Sequence, residues 1–191
     1  MYLAEFNSEL YKNKYRRKST RLPYWDYSSD GWYFVTICTK NMVKYFGTVK
    51  NYTMGLSDIG CIAAKFWNEI PKHFPFVRLD EWVVMPNHVH GILIIDKSFT
   101  DQRSDAINRV ATNGGITKNH NPMGKNVLGE MIRWFKGRVS FETHKINKNF
   151  VWQSRFYEHI IRNEKSLNRI RKYIFYNPQM WNRDRNNPLN K

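Results

Sequence analysis

The sequence predicts a domain of the α+β class, and the order and spacing of its segments support this. Strand-forming and amphipathic segments follow one another in the order strand, strand, helix, strand, strand, helix, strand, helix. The segments 76–85 and 88–95 have the character of buried strands and are separated by a turn of two or three residues, which predicts a β-hairpin. The length of 191 residues suits one domain that buries a sizeable core.

The first half of the chain is predicted to contain a second hairpin and a helix. Residues 32–39 are rich in β-forming side chains and are predicted to be the first strand, with 45–49 as its hairpin partner and Asn41 in the turn. A helix is predicted over 56–74, because apolar residues recur there at helical spacing and Ser57 is a suitable N-cap.

The second half is predicted to contain a long loop, two helices and one more strand. Residues 96–125 are rich in Ser, Asn, Gly, Thr and Asp, which predicts a loop. Helices are predicted over 126–145 and 164–176, the second with Asn163 as its N-cap. Residues 150–161 are predicted to be a short strand or an extended segment. The predicted buried stripes of the two helices are Leu128, Met131, Ile132, Phe135 and Val139, and Leu167, Ile170 and Ile174.

The charge of the chain indicates a polyanionic partner. The net charge is +15, and an excess of this size is typical of proteins that bind nucleic acid, although basic ribosomal and membrane-surface proteins share it. Residues 1–30 are predicted to be a basic arm that contacts phosphates through Lys14, Arg16 and Arg17, and an ordinary solvated tail is the alternative. Residues 181–191 are predicted to be a basic tail.

The sequence indicates a cytoplasmic protein that is not a membrane protein. It contains no apolar run of the roughly 18 residues that a transmembrane helix needs. The N-terminus lacks the apolar core of a signal peptide. Two cysteines are too few for a disulfide framework and lack the spacing of a metal site.

His88 and His90 form the first candidate site. They begin the second strand of the hairpin at alternate positions, so both side chains point to one face of the sheet with Cα atoms roughly 6.6 Å apart. This separation allows two imidazoles to bind one divalent metal ion. The alternative is that they are polar residues at the end of a sheet.

Tyr173 and Asn177 form the second candidate site. They lie about 40° apart at the border of the apolar stripe of the last predicted helix. A phenol oxygen can attack a phosphodiester that a metal ion polarises, and the amide oxygen of Asn177 could be a third ligand. The alternative is that Tyr173 packs against the sheet, as most tyrosines at helix borders do.

Five segments follow one another along the chain in a distinctive order. They are Trp82-Val83-Val84-Met85-Pro86-Asn87-His88-Val89-His90, Trp152-Gln153, Arg155-Phe156-Tyr157-Glu158-His159, Ile161-Arg162-Asn163 and Tyr173-Ile174-Phe175-Tyr176-Asn177-Pro178. In this order they resemble the single-tyrosine transposases and, more closely, the REP-associated tyrosine transposases. The resemblance extends over about residues 31–180.

The resemblance implies a ferredoxin-like α+β fold with an antiparallel central sheet and helices on one or both faces. It implies cleavage and rejoining of single-stranded DNA beside a hairpin, with Mg²⁺ or Mn²⁺, by a monomer or a homodimer. His88 and His90 would be metal ligands, and Asn177 would lie near the metal. Tyr173 would be the nucleophile that forms a 5′-phosphotyrosine and frees a 3′-hydroxyl.

Two other functions compete with this hypothesis. The chain could be a non-catalytic protein that binds nucleic-acid hairpins, or a zinc hydrolase that acts through water, although no further cluster of zinc ligands is evident. In the strand-transfer hypothesis and in the hairpin-binding hypothesis alike, basic residues of the predicted domain would contact DNA. These additional candidates for DNA contact are Arg133, Lys136, Arg155 and His159.

Overall fold

The computed structural model describes residues 26–27, 29–100 and 127–190. The predicted basic arm, with Lys14, Arg16 and Arg17, and most of the predicted 96–125 loop lie outside the described residues. The elements are β1 (Gly31–Cys38), β2 (Gly47–Lys50), β3 (Thr53–Leu56), α1 (Asp58–His73), β4 (Val77–Met85), β5 (His88–Ile95), α2 (Val127–Thr143), β6 (Tyr157–Ile161) and α3 (Glu164–Phe175).

The main sheet has the strand order β4-β5-β1-β6, and all of its neighbouring strands are antiparallel. Without the small β2–β3 hairpin, the chain runs β1, α1, β4, β5, α2, β6. This order and this pairing are those of the ferredoxin-like α+β fold, so the predicted fold class is confirmed.

The two faces of the main sheet are covered by different helices. Because side chains alternate along a strand, Val89 and Leu93 of β5 face the large core that contains α1 and α2. Ile92, of the opposite parity, packs in a second cluster with Ile170 and Ile174 of α3. His88 and His90 are separated from Ile92 by even numbers of residues, so their side chains lie with it on the α3 side of the sheet.

The predicted pairing of 45–49 with the first strand is wrong. β2 pairs with β3 in a separate two-stranded sheet, whereas β1 lies between β5 and β6. Six consecutive residues of β1 are buried, which suits a central strand with partners on both sides, whereas β2 alternates between half-buried and exposed residues. Asn41 and Met42, with φ values of 54° and 56°, lie in the short 3-10 turn between the two strands.

Both predicted N-caps are confirmed. Ser57 Oγ accepts a hydrogen bond from the Gly60 amide at 3.1 Å, and Asn163 Oδ1 accepts one from the Ser166 amide at 2.8 Å. Each cap satisfies one of the amides that a helix leaves without an internal partner. All the residues of the two predicted apolar stripes are buried.

The chain after α3 is folded, although we expected a polar and basic tail from residue 181. Two short 3-10 helices, Trp181–Arg183 and Pro188–Asn190, cover the end of the sheet where β5 begins. The Asn87 side chain donates to the Asn186 carbonyl at 2.8 Å and so joins this segment to the β4–β5 turn. The buried residues of the segment are Trp181, Asp184, Asn186 and Asn187.

None of the helices in the described ranges has the length and apolar character that crossing a bilayer requires.

A bidentate ion pair fixes α3 to the sheet. Arg171 donates from Nε to Asp80 Oδ1 at 2.8 Å and from an Nη to Oδ2 at 2.6 Å, which joins the helix to β4. The Arg171 guanidinium lowers the pKa of Asp80, against the opposing effect of burial. Since Tyr173 follows two residues later, this pair holds the helix that carries the tyrosine.

We predict that Asp80→Asn lowers the free energy of unfolding by about 1–2 kcal/mol, because it removes a charge-assisted bidentate pair whose arginine is partly exposed to solvent. Chemical denaturation of wild type and variant measures the difference. Glu142→Gln, which removes a carboxylate from an exposed ion pair on α2, is the control and should change stability little.

The same pair predicts a pH dependence. The folded pKa of Asp80 lies below the ordinary value of 3.8, so the stabilisation is complete above that value and is lost as the pH falls through the folded pKa. The stability difference between wild type and Asp80→Asn should therefore shrink as the pH falls from about 4 through the folded pKa of Asp80. A difference that stays constant or grows on acidification would contradict this.

Candidate metal and tyrosine site

His88 and His90 lie side by side on the α3 face of the sheet. Their Cα partners on β1 are Cys38 and Thr36, and neither histidine has any solvent exposure. The centroids of the two rings are 4.4 Å apart. The predicted convergence of the two imidazoles is therefore what the strand geometry produces.

Asn87 determines which nitrogen of His88 is available. Its amide nitrogen donates to the carbonyls of Met42 and Asn186, at 3.0 and 2.8 Å, which uses both amide hydrogens. Its Oδ1 therefore accepts from His88 Nδ1, 2.8 Å away. The lone pair of His88 is thus on Nε2, as in metal sites whose histidine is oriented by a hydrogen bond from its other nitrogen.

Thr36 and Tyr173 contact the two nitrogens of His90. Nδ1 is 2.8 Å from Thr36 Oγ1, and Nε2 is 3.1 Å from the Tyr173 hydroxyl. In the tautomer that donates from Nδ1 to Thr36, Nε2 accepts the phenolic hydrogen. A metal ion needs the same lone pair on Nε2, so the phenol must release this nitrogen when a metal ion binds.

Asp184 is the third member of the cluster. Its Oδ2 is 3.9 Å from His88 Nε2, and one ligand atom from each of His88, His90 and Asp184 lies within 4.8 Å of the others. The Asp184 side chain is held by a 2.6 Å hydrogen bond from the Asn186 amide to Oδ1. These three residues form a buried group that could hold a metal ion.

The hydrogen bonding of the cluster fits a metal ion. The buried polar atoms that have no hydrogen-bond partner within the described part of the chain include His88 Nε2, Asp184 Oδ2 and Asn177 Oδ1. Leaving buried polar atoms unpaired costs about 1–3 kcal/mol each. Imidazole nitrogen, carboxylate oxygen and amide oxygen are all ligands of divalent metals. Bound metal would offset this cost.

Sequence reasoning missed Asp184. It lies in a segment that we expected to be a solvated tail, about 95 residues from the histidines, and strand or helix periodicity says nothing about it. The available signal was that Asp184 is the only acidic residue after α3. We predicted Asn177 as the third ligand, and the structure places its buried side chain beside the same cleft.

Tyr173 lies between the cluster and the solvent. It is 42% exposed, and its ring meets Phe34 edge-on at a centroid distance of 6.1 Å. It lines a cleft of about 470 Å³ together with Asn177 and Asp184. The hydroxyl of Tyr173 therefore contacts the cluster through His90, and part of its ring is accessible from the cleft.

Burial sets the protonation of the site. It lowers the pKa of His88 to about 4, with Asp184 opposing and Arg185 adding to the effect. Burial, His88 and Arg185 lower the pKa of His90 well below its usual range. Both imidazoles are therefore neutral at pH 7, as metal ligation requires.

The pKa of the Tyr173 phenol is raised. Burial is the main cause and the carboxylate of Asp184 adds to it, whereas Arg185 and a hydrogen bond with Asn177 act in the opposite direction. The tyrosine is therefore a neutral hydroxyl at pH 7, and it needs positive charge nearby to become a nucleophile.

The other predicted DNA-contact residues are distributed around the domain. Arg133, Arg155 and His159 are exposed, and His159 lines a second cleft of about 810 Å³ that shares Tyr157 with the first. Lys136 instead donates to the carbonyls of Gln153 and Arg155, at 2.7 and 3.2 Å, and burial lowers its pKa. These bonds give Lys136 a structural role that the sequence did not predict.

Comparisons with known proteins identify relatives along most of the chain. No protein-family model matches the sequence. An uncharacterized protein of Haemophilus influenzae is 39% identical over 174 residues, which cover 89% of this chain and 92% of that protein. A second Haemophilus influenzae protein, whose name assigns it provisionally to the REP-associated tyrosine transposases, is 24% identical over 80% of this chain and 73% of its own length.

Two further matches are weaker in coverage or in identity. A REP-associated tyrosine transposase of Escherichia coli is 27% identical over 58% of this chain and 48% of its own length. The structure of a REP-associated tyrosine transposase bound to a REP hairpin is similar with a TM-score of 0.48 and 22% identity, covering 88% of this chain and 73% of that chain. On its sequence matches, the chain belongs to one family with the first Haemophilus influenzae protein, and it is more distantly similar to proteins named REP-associated tyrosine transposases.

Proposed function

We propose that this chain nicks single-stranded DNA and transfers the cut strand through a covalent bond to Tyr173, in a reaction that depends on a divalent metal ion. The observation that carries the proposal is the 3.1 Å contact between the Tyr173 hydroxyl and His90 Nε2, within the buried His88, His90 and Asp184 cluster. A candidate nucleophile, candidate metal ligands and an open cleft thus lie together.

The chemistry is a transfer of a phosphoryl group between oxygen atoms. The phenol oxygen of Tyr173 attacks the phosphorus, the oxygen–phosphorus bond to tyrosine forms, and the bond to the 3′-oxygen breaks. The phenolic proton is lost to solvent, and the leaving 3′-oxygen gains a proton from solvent. The 5′-phosphotyrosine conserves the bond energy, so a 3′-hydroxyl can attack it and rejoin a strand.

The residues of the cluster have separate tasks in this proposal. His88, His90 and Asp184 would hold the metal ion, and the buried Asn177 amide oxygen lies beside them. When bound, Mg²⁺ or Mn²⁺ would supply Lewis-acid polarisation of the phosphate. Asn87 and Thr36 orient the two imidazoles, and Phe34 supports the tyrosine ring.

The charge of the chain supports DNA as the substrate. A net charge of +15 provides the attraction to phosphates that holds nucleic acid independently of its sequence. The exposed residues Arg155 and His159 are proposed contacts, and so are Lys14, Arg16 and Arg17 of the predicted basic arm. By analogy with the named relatives, we propose a hairpin beside the cut strand as the partner structure.

We predict that Tyr173→Phe forms no covalent protein–DNA adduct, because it removes the proposed nucleophile, the hydroxyl oxygen that contacts His90 Nε2. The measurement is incubation with labelled single-stranded hairpin DNA from the flanks of the gene and Mn²⁺, followed by a denaturing gel. Tyr176→Phe is the matched control, since Tyr176 lies three residues away and is exposed, and its adduct should persist. Tight hairpin binding by a wild type that forms no adduct would favour a non-catalytic binding protein.

We also predict that the cluster binds one Mn²⁺ ion per chain. His88→Ala and Asp184→Asn should each weaken binding by at least about tenfold, since even residues that only orient metal ligands contribute that much. Isothermal titration calorimetry measures the affinities, and His159→Ala, an exposed histidine outside the cluster, is the control.

Tyr173→Phe should bind Mn²⁺ at least as tightly as wild type, because no hydrogen bond to His90 Nε2 must be broken first. A substantial loss of Mn²⁺ affinity in this variant would mean that the phenol oxygen is itself a ligand, and the assignment of Tyr173 as the free nucleophile would then be wrong.

A further inference from the structure

We propose that Arg185 is the residue that binds the scissile phosphate and neutralises the charge that develops on it during the attack by Tyr173. This inference rests on the proposed function and adds a residue to it. Arg185 lines the same cleft as Tyr173 and Asp184, so its guanidinium and the nucleophile open onto one space.

Hydrogen bonds of the neighbouring residues fix the backbone position of Arg185. Two hydrogen bonds hold the neighbouring Asp184. The backbone amide of Asn186 donates to Asp184 Oδ1 at 2.6 Å, and the side-chain amide of Asn190 donates to the Asp184 backbone carbonyl at 2.8 Å. The Asn186 carbonyl in turn accepts from Asn87, which also orients His88. Arg185 is therefore held in register with the metal cluster by the same short segment.

The side chain of Arg185 is held by an aromatic ring instead of by a carboxylate. Its guanidinium carbon lies 5.6 Å from the centroid of the Tyr157 ring. No salt bridge to Arg185 occurs among residues 26–27, 29–100 and 127–190. A guanidinium placed over a ring keeps its charge and its hydrogen-bond donors available, which suits the binding of a phosphate.

Phe34 connects this ring to the nucleophile. Its centroid is 6.2 Å from that of Tyr157, 6.1 Å from that of Tyr173 and 5.4 Å from that of His90. One buried ring therefore sets the spacing between the support of Arg185, the nucleophile and a proposed metal ligand.

Arg185 supplies positive charge where the proposed reaction needs it, at the phosphate. The attack of a phenol oxygen on a phosphodiester concentrates negative charge on the non-bridging oxygens, and the cluster carries the carboxylate of Asp184 close by. A fixed guanidinium stabilises such charge without reorganisation. Arg183 lies at the same cleft, but Arg185 is the arginine whose guanidinium lies over the Tyr157 ring.

The test uses a scissile phosphate with and without its charge. Wild type is first incubated with Mn²⁺ and single-stranded fragments from the flanks of the gene. The fragments that become covalently bound to the protein are then sequenced to locate the cut. Oligonucleotides are then made with a phosphate or a neutral methylphosphonate at that position. Rates of adduct formation are compared for wild type, Arg185→Ala, Arg185→Lys and Arg78→Ala. Arg78 is the charge-matched control, since it is at the far end of β4 in an exposed pair with Asp96.

On the phosphate, Arg185→Ala should be slower than wild type by about 10²–10³-fold, and Arg185→Lys should be intermediate. On the methylphosphonate, where there is no anionic charge to neutralise, Arg185→Ala should be within about tenfold of wild type. Mn²⁺ affinity should be unchanged in Arg185→Ala, which shows that the cluster is intact. Arg78→Ala should match wild type on both substrates.

The inference is overturned if Arg185→Ala is as fast as wild type on the phosphate. It is also overturned if the variant is slowed equally on both substrates, because the role of Arg185 would then be structural. If wild type forms no adduct with any fragment, the proposed function itself fails and this inference fails with it. The comparison of variants thus separates the two failures.

Discussion

The burial of His88 and His90 on one face of the sheet is the constraint on which the rest of the site depends. Burial keeps both imidazoles neutral, and hydrogen bonds to their nitrogens fix the orientation of the rings. Asn87 and Thr36 provide a partner for each Nδ1, and α3 and the C-terminal segment cover the rings. One nitrogen of each ring is left pointing into the space that Asp184 and Tyr173 share.

The antiparallel pairing of β1 with β5 positions the residues that surround the two histidines. β1 and β5 pair so that Thr36 faces His90 directly, and the same alternation directs Phe34 and Ile92 toward α3. The ion pair between Arg171 and Asp80 then fixes α3 at a position where the Tyr173 hydroxyl meets His90. The site is therefore positioned by sheet pairing, by helix docking and by a C-terminal segment that folds back over the sheet end.

The sequence predicted the parts of this arrangement that depend on local periodicity. Strand alternation predicted that His88 and His90 share a face, and helical spacing and capping predicted α3 and the border position of Tyr173. The neighbours of β1 were not predictable locally, because a strand's burial shows that it has partners without showing which strands they are. Asp184 and Arg185 also escaped prediction, since their positions depend on tertiary hydrogen bonds from Asn87 and Asn190.

The measurement that tests the central claim most directly is the location of the covalent bond. Wild type is incubated with single-stranded hairpin DNA and Mn²⁺, digested with nuclease and trypsin, and analysed by tandem mass spectrometry. Cleavage after Lys172 and Arg183 gives a peptide that contains Tyr173 and Tyr176, which fragmentation distinguishes. We predict a nucleotide linked through its 5′-phosphate to Tyr173, and only when the metal ion is present. A nucleotide on Tyr176 or Tyr157, or one that forms without metal, would contradict the account.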